Sequence, residues 1–395
     1  MRSRRGGYTM NNLGTLYRFE MRKILRRRIT VVVLVVVTLI MIAMNIGEYI
    51  AGGRAANTEE KALVGRTVDE TLLSEMREAI EPKRATMEDG ETVSIGISVK
   101  DKTYAPLMDY LFMLGGNYDK AYNMTEEKLY STFDGVIDTA LEEQHLRDKE
   151  LEYWEDRRAE QPEKLRYDEI QNGWGDSVTI IYVVSLLTLI AVAATLSGVF
   201  SEESSLKTDA LILSSRNGRK RLMAVKFLAG ISVGLLETAV LLIACIGTEF
   251  AISGFGGRHG SVQFFVGPTA MDMEIGKAFL WYVGIMLVIG LLFSVMAMFL
   301  SELCHNSIAV VAIMMFMWLL SMLNIPYSMG LLSRIWSYFP VTFLGSWTFT
   351  DYRLIYLFGK PLTIIEAAPI IYVSLAAIML AVTKWSYDRY QVQGR

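Results

Sequence analysis

The residues with the clearest potential for chemistry form a dense basic group around one glycine. Residues 216–226 contain five Arg or Lys residues and Gly218. Phosphate-binding loops, nucleic-acid surfaces and the cytoplasmic ends of membrane spans all use basic residues in this way. A P-loop needs a Gly-rich turn ending in Gly-Lys-Ser/Thr, which "SRNGRKRLM" lacks, and a nucleic-acid surface needs stacking aromatics, which the segment lacks before Phe227. The pattern therefore favours a membrane-proximal segment and no nucleic-acid partner.

Other residues that could catalyse a reaction or bind a metal are sparse. The three histidines, His145, His259 and His305, are far apart, and no metal-ligand spacing or nucleophile elbow is present. The two cysteines, Cys245 and Cys304, lie in or beside apolar runs, which argues against redox chemistry. We therefore predict that the chain itself is not an enzyme and holds no cofactor or metal.

Long apolar runs must position these residues. The chain has 395 residues, of which 52% are hydrophobic, and a net charge of −3. A helix of about 20 apolar residues, rising ~1.5 Å per residue, crosses a hydrocarbon core of ~30 Å. Because lipid offers no hydrogen-bond partners to backbone N–H and C=O groups, such runs are expected to form helices. The sequence thus predicts an all-α polytopic membrane protein with six transmembrane helices. The predicted spans are residues 29–51, 178–200, 227–250, 278–300, 307–324 and 363–383.

Charge asymmetry predicts the orientation of these spans. Residues 1–28 carry nine Arg or Lys and one acidic residue, and residues 201–226 carry six more basic residues. The loops at 251–277 and 325–362 carry only five between them. By the positive-inside rule, both termini and residues 201–226 are predicted to be cytoplasmic in a multi-pass protein of the cell membrane. The lack of an organelle signal favours a bacterial plasma membrane.

Residues 53–176 are predicted to form a small, mainly helical extracellular domain with a short β element. Residues 53–175 contain 28 acidic and 16 basic residues. Four-residue apolar spacing predicts a helix over 64–80, and strict alternation predicts a strand over 91–99. The acidic surface has two interpretations, which stay open: it attracts cationic ligands, or it keeps the domain soluble.

The second half of this domain is predicted to be helical as well. Thr125 is a plausible helix start, and Val136 is expected on the apolar face that follows it. Residues 142–169 are dense in alternating charge, which predicts a solvated helical stalk leading to the second span.

Glu237 lies near the middle of the third predicted span. A carboxylate at the centre of a bilayer costs a few kcal/mol or more, so it must face protein or water, or carry a proton. Two interpretations stay open. One is a cation, proton or substrate site on a translocation path, and the other is a structural hydrogen bond to Asn45, Thr188 or Asn324.

The basic group belongs to a longer segment, "FSEESSLKTDALILSSRNGRKRLMAVKFLAG" at residues 200–230, which resembles the intracellular loop of ABC transporter permeases of the type-2 exporter class. Such loops have an acid pair, a threonine and leucines on a short helix, a small-residue turn with arginine, and a lysine opening the third span. The segment departs from the pattern in two ways: Ser204 and Ser205 stand where a glycine is common, and the turn has no proline. The resemblance assigns coupling to an ATPase to Glu202, Glu203, Thr208, Leu211, Arg216 and Lys226.

Two other segments resemble parts of these permeases. The amphipathic stretch in residues 1–28 is similar to the connecting helix that lies on the inner leaflet. Within residues 178–395, the aromatic-rich segment 327–358 is similar to the partly re-entrant external helices above the substrate path. An interfacial aromatic belt would explain its aromatics equally well. With Glu237, the resemblance places Trp336 and Pro340 on that path.

The resemblance implies the membrane subunit of an ATP-driven exporter of an amphipathic peptide, drug or lipid. ATP and Mg²⁺ would bind separate ATPase subunits, and a second permease chain, identical or different, would complete the channel within the lipid bilayer. Two alternatives remain: a receptor or regulatory subunit that senses cationic peptides, and a sodium-efflux permease.

Overall fold

The computed structural model describes residues 11–52, 58–86, 92–99, 102–170, 172–205 and 220–389, and most of these residues are helical. Long helices form one bundle with a continuous apolar core. A smaller domain, inserted between the first two long helices, has a core of its own and lies at one end of the bundle. We call that end the domain end.

The chain enters the bundle through two helices joined by a tight turn, α1 (Asn11–Leu25) and α2 (Arg28–Gly52). The end of a helix leaves carbonyl groups without intrahelical partners. Here the Thr30 hydroxyl donates to the Ile24 carbonyl at 3.0 Å, which closes the turn and sets the angle between the two helices.

The described part of the inserted domain contains five α-helices and a hairpin. Asp69 starts α3, because its carboxylate accepts the amide N–H of Leu72 at 3.0 Å, so the predicted helix over 64–80 begins later than expected. The predicted strand is confirmed as β2, which pairs with β1 in antiparallel register. The elements are a 3₁₀ turn (Thr58–Leu63), α3 (Glu70–Ala79), β1 (Ile80–Thr86), β2 (Thr92–Val99), a 3₁₀ turn (Lys102–Tyr104), α4 (Ala105–Gly115), α5 (Tyr118–Tyr122), α6 (Glu126–Glu143) and α7 (Asp148–Ala159).

Two predictions for the second half of the domain need correction. Helix α6 begins after Thr125 as predicted, but its buried stripe runs through Ile137 and leaves Val136 42% exposed. The predicted solvated stalk over 142–169 is wrong, because α7 is a separate helix whose Trp154 is fully buried. The partner of Trp154 is about 200 residues away in the chain, so charge alternation within α7 could not reveal it.

The middle of the bundle contains three long helices. Asn172 caps the first of them by accepting the N–H of Gly175 at 2.9 Å, so that helix starts before the predicted apolar run. A break near Ser197 separates it from a short helix. These elements are α8 (Gly173–Leu196), α9 (Gly198–Ser205), α10 (Lys220–Ser253), α11 (Gln263–Val266) and α12 (Ile275–Cys304).

The last part of the chain alternates one apolar helix with several short elements before a final long helix. Thr363 and Glu366 cap the final helix reciprocally, with each side chain accepting the backbone N–H of the other residue. The elements are α13 (Ser307–Ser321), a 3₁₀ turn (Tyr327–Met329), α14 (Leu331–Trp336), α15 (Pro340–Phe343), a 3₁₀ turn (Ser346–Thr350), β3 (Ile355–Leu357), β4 (Lys360–Leu362) and α16 (Ile364–Arg389).

Five stretches of the described chain are long and apolar enough to cross a membrane: Arg28–Ile50, Gly173–Glu202, Arg221–Ser253, Ile275–Cys304 and Ile364–Ser386. They correspond to five of the six predicted spans. The predicted fifth span, 307–324, is instead the 15-residue helix α13, and at ~1.5 Å per residue it reaches only about 22 Å. Length and composition therefore support five candidate spans, and the sixth stays a prediction.

Small residues allow the long helices to approach closely. Gly234 on α10 faces Ser294 on α12, and Gly290 on α12 faces Thr238 on α10, so a Cβ at either glycine would overlap the opposite side chain. Close approach through small residues is a common way for helices to associate in lipid. Helix α1 lies against the same α10, where the Tyr17 hydroxyl donates to Ser232 Oγ at 2.9 Å.

Candidate transport site

The break between α8 and α9 is held by one serine of α12. Ser301 Oγ donates to the Ser197 carbonyl at 2.6 Å and accepts the backbone N–H groups of Phe200 and Ser201 at 3.1 and 3.0 Å. This hydroxyl therefore occupies the gap that the helix break leaves in the backbone ladder. We call this break, with residues 197–202, the elbow.

Lys226 supports the elbow from α10. Its side chain is fully buried, and its ammonium group lies 3.4 Å from the Val199 carbonyl and 5.0 Å from the centroid of the Phe200 ring. A buried ammonium needs such acceptors, and an aromatic face adds a cation–π attraction. The predicted coupling residue Lys226 thus contacts the helix pair that leads into the segment 206–219.

Glu202, the first of the predicted acid pair, forms an ion pair with Arg27 at 2.6 Å. Arg27 lies in the turn between α1 and α2, so the contact ties the elbow to the amphipathic helix. Gly198 lies directly beneath the pair, and a Cβ there would overlap the Glu202 carboxylate. Thr208, Leu211 and Arg216 lie outside the described residues, as does the side chain of Glu203.

Glu237 is buried among α8, α10 and α12, with 1% of its surface exposed. Thr195 on α8 donates a hydrogen bond to Glu237 Oε1 at 2.7 Å. The three hydrogen-bond partners that the sequence suggested for Glu237 are wrong. The Asn45 amide donates to the Cys245 carbonyl instead, and the Thr188 hydroxyl has no partner among the described residues. Asn324 lines a cavity at the domain end. Sequence spacing within single helices could not reveal that α8 presents Thr195 at this depth.

Trp336, predicted to lie on a substrate path, caps the end of α13. Its indole N–H donates to the Leu323 carbonyl at 2.8 Å, and the Thr342 hydroxyl donates to the Ser321 carbonyl at 2.8 Å. Pro340 is the first residue of α15, where its missing N–H leaves no donor unsatisfied. The short helices therefore complete the backbone hydrogen bonding of a helix that ends early.

Neighbouring spans satisfy the carbonyls of this same segment. The Tyr372 hydroxyl of α16 donates to the Tyr338 carbonyl at 2.9 Å, and the Tyr282 hydroxyl of α12 lies 3.4 Å from the Gly345 carbonyl. These carbonyls, which lie outside the long helices, therefore find their donors within the protein.

A cavity of about 1080 Å³ lies between α8, the end of α13, the short helices and the inserted domain. We call it the domain-end cavity. Its wall combines aromatic rings with hydroxyl groups and few charges. Residues that define it include Glu143, Tyr182, Tyr327, Trp336, Trp347 and Arg353.

Among the described residues, Arg353 supplies the only guanidinium in the cavity wall, and its charge is neutralised within the protein. Arg353 forms a bidentate contact with Asp351, at 2.8 and 2.5 Å, and also donates to Ser333 Oγ at 2.8 Å. Its guanidinium carbon lies 4.9 Å from the centroid of the Tyr327 ring. Glu143 at the rim is exposed, and within the described part of the chain its carboxylate forms no ion pair. Counting His145, which also lines the cavity, as neutral, the residual formal charge of the wall is negative.

The inserted domain is fixed above this cavity by buried polar contacts. Glu150 is fully buried and accepts two hydrogen bonds from Arg334, at 2.8 and 2.9 Å. It also accepts the backbone N–H groups of Leu354 and Arg147, each at 2.9 Å. Beside this ion pair, the Trp154 indole N–H donates to the Tyr352 carbonyl at 2.5 Å, and its buried ring adds apolar contact between the domain and the bundle. We call the Glu150–Arg334 pair the latch.

Sequence reasoning did not identify Ser301, Glu150 or Arg334. A lone serine in an apolar run and one acid among many in a charged helix carry no local signal, because their partners are far away in the chain. Within the described ranges, no three His, Cys, Asp or Glu side chains are arranged as metal ligands.

These features define a polytopic helical membrane protein with a braced elbow at one end of its bundle and a cavity at the other. Residues 87–383 match the model of the ABC-2 family transporter proteins, so the chain belongs to that family. No curated protein and no solved structure matches the chain. The match confirms the resemblance to type-2 permeases and makes the chain a membrane permease of an ABC transporter.

Proposed function

We propose that this permease is the membrane subunit of an exporter that moves an amphipathic substrate outward when separate ATPase subunits close on ATP. The observation that carries the proposal is the family match over residues 87–383, which covers the elbow, the long helices α8, α10 and α12 and the domain-end cavity. In this proposal the elbow end faces the cytoplasm and the inserted domain is extracellular. ATP and Mg²⁺ bind the partner, and this chain contributes no hydrolytic group.

The elbow supplies a rigid connection between the cytoplasmic loop and the spans. Movement of residues 206–219 by an ATPase pulls on α9, and α9 is joined to α12 through Ser301 and to α10 through Lys226. Closure of the ATPase then shifts the equilibrium between two arrangements of the spans, because ATP binds the two states with different affinity. Glu203, Thr208, Leu211 and Arg216 are proposed to make the direct ATPase contacts.

A second permease chain, identical or different, is proposed to complete the substrate path. Helix α13 leaves large apolar side chains exposed, including Ile308 and Phe316 at 78% and 64%. A helix too short to span the bilayer gains most by packing such a face against another protein chain. Glu237 and Trp336 then lie behind this face as supports of the path.

Affinity purification of the tagged chain from its native membrane tests the partner directly. We expect an ATPase with a P-loop to co-elute at about one copy per permease chain, and its hydrolysis rate to respond to substrate. Recovery of a kinase without an ATPase would instead favour the receptor alternative. Stimulation by sodium alone would favour the ion-efflux alternative.

A charge swap tests whether Glu202 acts through Arg27 or on the ATPase. We expect Glu202→Arg to reduce ATP-driven transport several-fold, because it opposes two cations across the elbow. The double variant Arg27→Glu/Glu202→Arg restores the pair and recovers most of the transport if Glu202 braces the elbow. A double variant as impaired as Glu202→Arg would place Glu202 in the ATPase contact instead. Transport assays in proteoliposomes distinguish these outcomes.

A further inference from the structure

We propose that the domain-end cavity binds lipophilic cations of drug-like size. Nothing in the family match assigns a ligand to this cavity. The inference rests on the proposed export function for its biological meaning, since a site at the domain end is where an exported molecule would leave. Binding itself does not depend on an ATPase and is measured without one.

The size and position of the cavity favour a small amphipathic ligand. Ligand sites for drug-sized molecules usually occupy about 300–1,000 Å³, and this cavity reaches about 1080 Å³. Tyr182, Met322 and Leu323 line it and are 44%, 57% and 54% exposed. These side chains present apolar surface to the cavity at the level where α8 begins and α13 ends, next to the outer boundary of the spans.

The charge of the wall favours a cation over an anion. Three of the five N–H donors of Arg353 are directed to Asp351 and Ser333, and the Asp351 carboxylate neutralises its charge, so the guanidinium attracts an anionic group only weakly. The carboxylate of Glu143 remains at the rim without an ion pair in the described chain. An anion entering the cavity would meet this uncompensated negative charge, whereas a cation would be attracted to it.

The aromatic rings of the wall give the same preference. Tyr182, Trp336 and Trp347 all line the cavity. Aromatic faces attract cations, and they do so most strongly for large, weakly hydrated ones. A lipophilic cation can therefore place its charge over these rings while its apolar groups contact Met322 and Leu323. The inserted domain, held by the latch, covers the opposite side.

Two ions of nearly the same shape and opposite charge provide the test. Binding of radiolabelled tetraphenylphosphonium and tetraphenylborate is measured separately on the full chain in phosphatidylcholine nanodiscs, with empty nanodiscs subtracted. We expect saturable binding of tetraphenylphosphonium and at least tenfold weaker binding of tetraphenylborate. Equal binding of the two ions, or no saturable binding of the cation, would overturn the proposal.

Matched substitutions locate the binding. We expect Tyr182→Ala to weaken tetraphenylphosphonium binding about tenfold and Glu143→Gln about threefold. The control for Tyr182→Ala is Tyr356→Ala, which removes a tyrosine that is similarly exposed, at 41%, but lies outside the cavity. The control for Glu143→Gln is Glu142→Gln, which removes the neighbouring exposed carboxylate. Both controls should bind as the unmodified chain does. Tyr182→Phe, which keeps the ring, should also bind normally and shows that a loss in Tyr182→Ala is not a folding defect.

Other results separate this inference from the proposed function. Cavity variants that bind the cation normally but no longer cross-link to a second permease chain would make the cavity a subunit interface and overturn the inference. Co-purification of an ATPase would then still support the exporter. Cation binding at the cavity without any ATPase partner would support the inference and contradict the exporter.

Discussion

At the scale of single residues, the latch shows how a buried charge fixes the position of a whole domain. Glu150 accepts four hydrogen bonds, two from Arg334 and two from backbone N–H groups. Both oxygens of this fully buried carboxylate are thus satisfied, which is the condition under which a buried ion pair is tolerated. Removal of one partner leaves an uncompensated charge, so the pair is sensitive to substitution at either residue.

We expect Arg334→Met to destabilise the docking of the inserted domain by about 3–5 kcal/mol, because Glu150 then remains buried without its counter-ion. Limited proteolysis of the detergent-solubilised chain, followed at the connection near residue 160, measures the change as faster cleavage. Adding Glu150→Gln to this variant removes the uncompensated charge and should slow cleavage again. Identical cleavage of Arg334→Met and the unmodified chain would show that apolar contacts alone fix the domain.

At the scale of elements, α13 is the helix whose behaviour differs most from the sequence pattern. Its apolar run continues to residue 324, yet the helix ends at Ser321 and the chain turns into short helices. The Trp336 indole and the Thr342 hydroxyl satisfy carbonyls at its end. An apolar run indicates only that the segment lies in apolar surroundings. The early end of the helix depends instead on donors that lie 13 and 21 residues further along the chain.

The substitution Thr342→Val tests this capping. It keeps the shape of the side chain and removes the donor to the Ser321 carbonyl. The free energy of unfolding should fall by about 1 kcal/mol or more, because this carbonyl then has no donor. The thermal midpoint in detergent should fall by ~2–4 °C. Thr139→Val, on the exposed face of α6, removes a hydroxyl that donates to the Gly135 carbonyl and should leave the midpoint unchanged. Equal midpoints for all three proteins would show that the cap contributes nothing to stability.

Local patterns predicted the elements that depend on local chemistry. Strand β2, the start of α6 at Thr125 and five of the long apolar helices follow directly from alternation, capping and hydropathy. The partners of Glu237, Glu150 and Trp154 could not be predicted in this way, because each lies on another element at a depth that only packing determines. The candidate site was accordingly predicted as a list of residues, of which the structure brings Glu202 and Lys226 to the elbow and Trp336 to the cavity.

At the scale of the whole molecule, the inserted domain and the bundle are joined through titratable groups. Burial raises the pKa of Glu150, but the guanidinium of Arg334 and the N–H groups of Arg147 and Leu354 lower it, and the net result is a pKa below the ordinary 4.5. A carboxyl whose pKa is lower in the folded state stabilises the fold fully above its unfolded pKa. That contribution is lost as the pH falls through the folded value.

We therefore expect the docking of the inserted domain to be most stable at neutral pH and to become less stable below about pH 4.5. Hydrogen exchange of the α7 amides, measured from pH 6 down to roughly pH 3.5 and corrected for the intrinsic rate, should show this loss of protection. Because other surface pairs also titrate in this range, the informative quantity is the difference from Glu150→Gln, in which the latch does not titrate. Parallel pH profiles for the two proteins would contradict a role for the latch in pH sensitivity.

The length of α13 has a consequence for the bilayer around the protein. A helix of about 22 Å beside spans that match a core of ~30 Å leaves a hydrophobic mismatch of about 8 Å on one side of the molecule. In a chain that has not yet met its partner, lipids beside α13 meet such a mismatch by thinning, so headgroups and water descend toward the end of α13. The membrane is then thinnest beside the domain-end cavity, and an amphipathic molecule has the shortest distance to travel there between hydrocarbon and water.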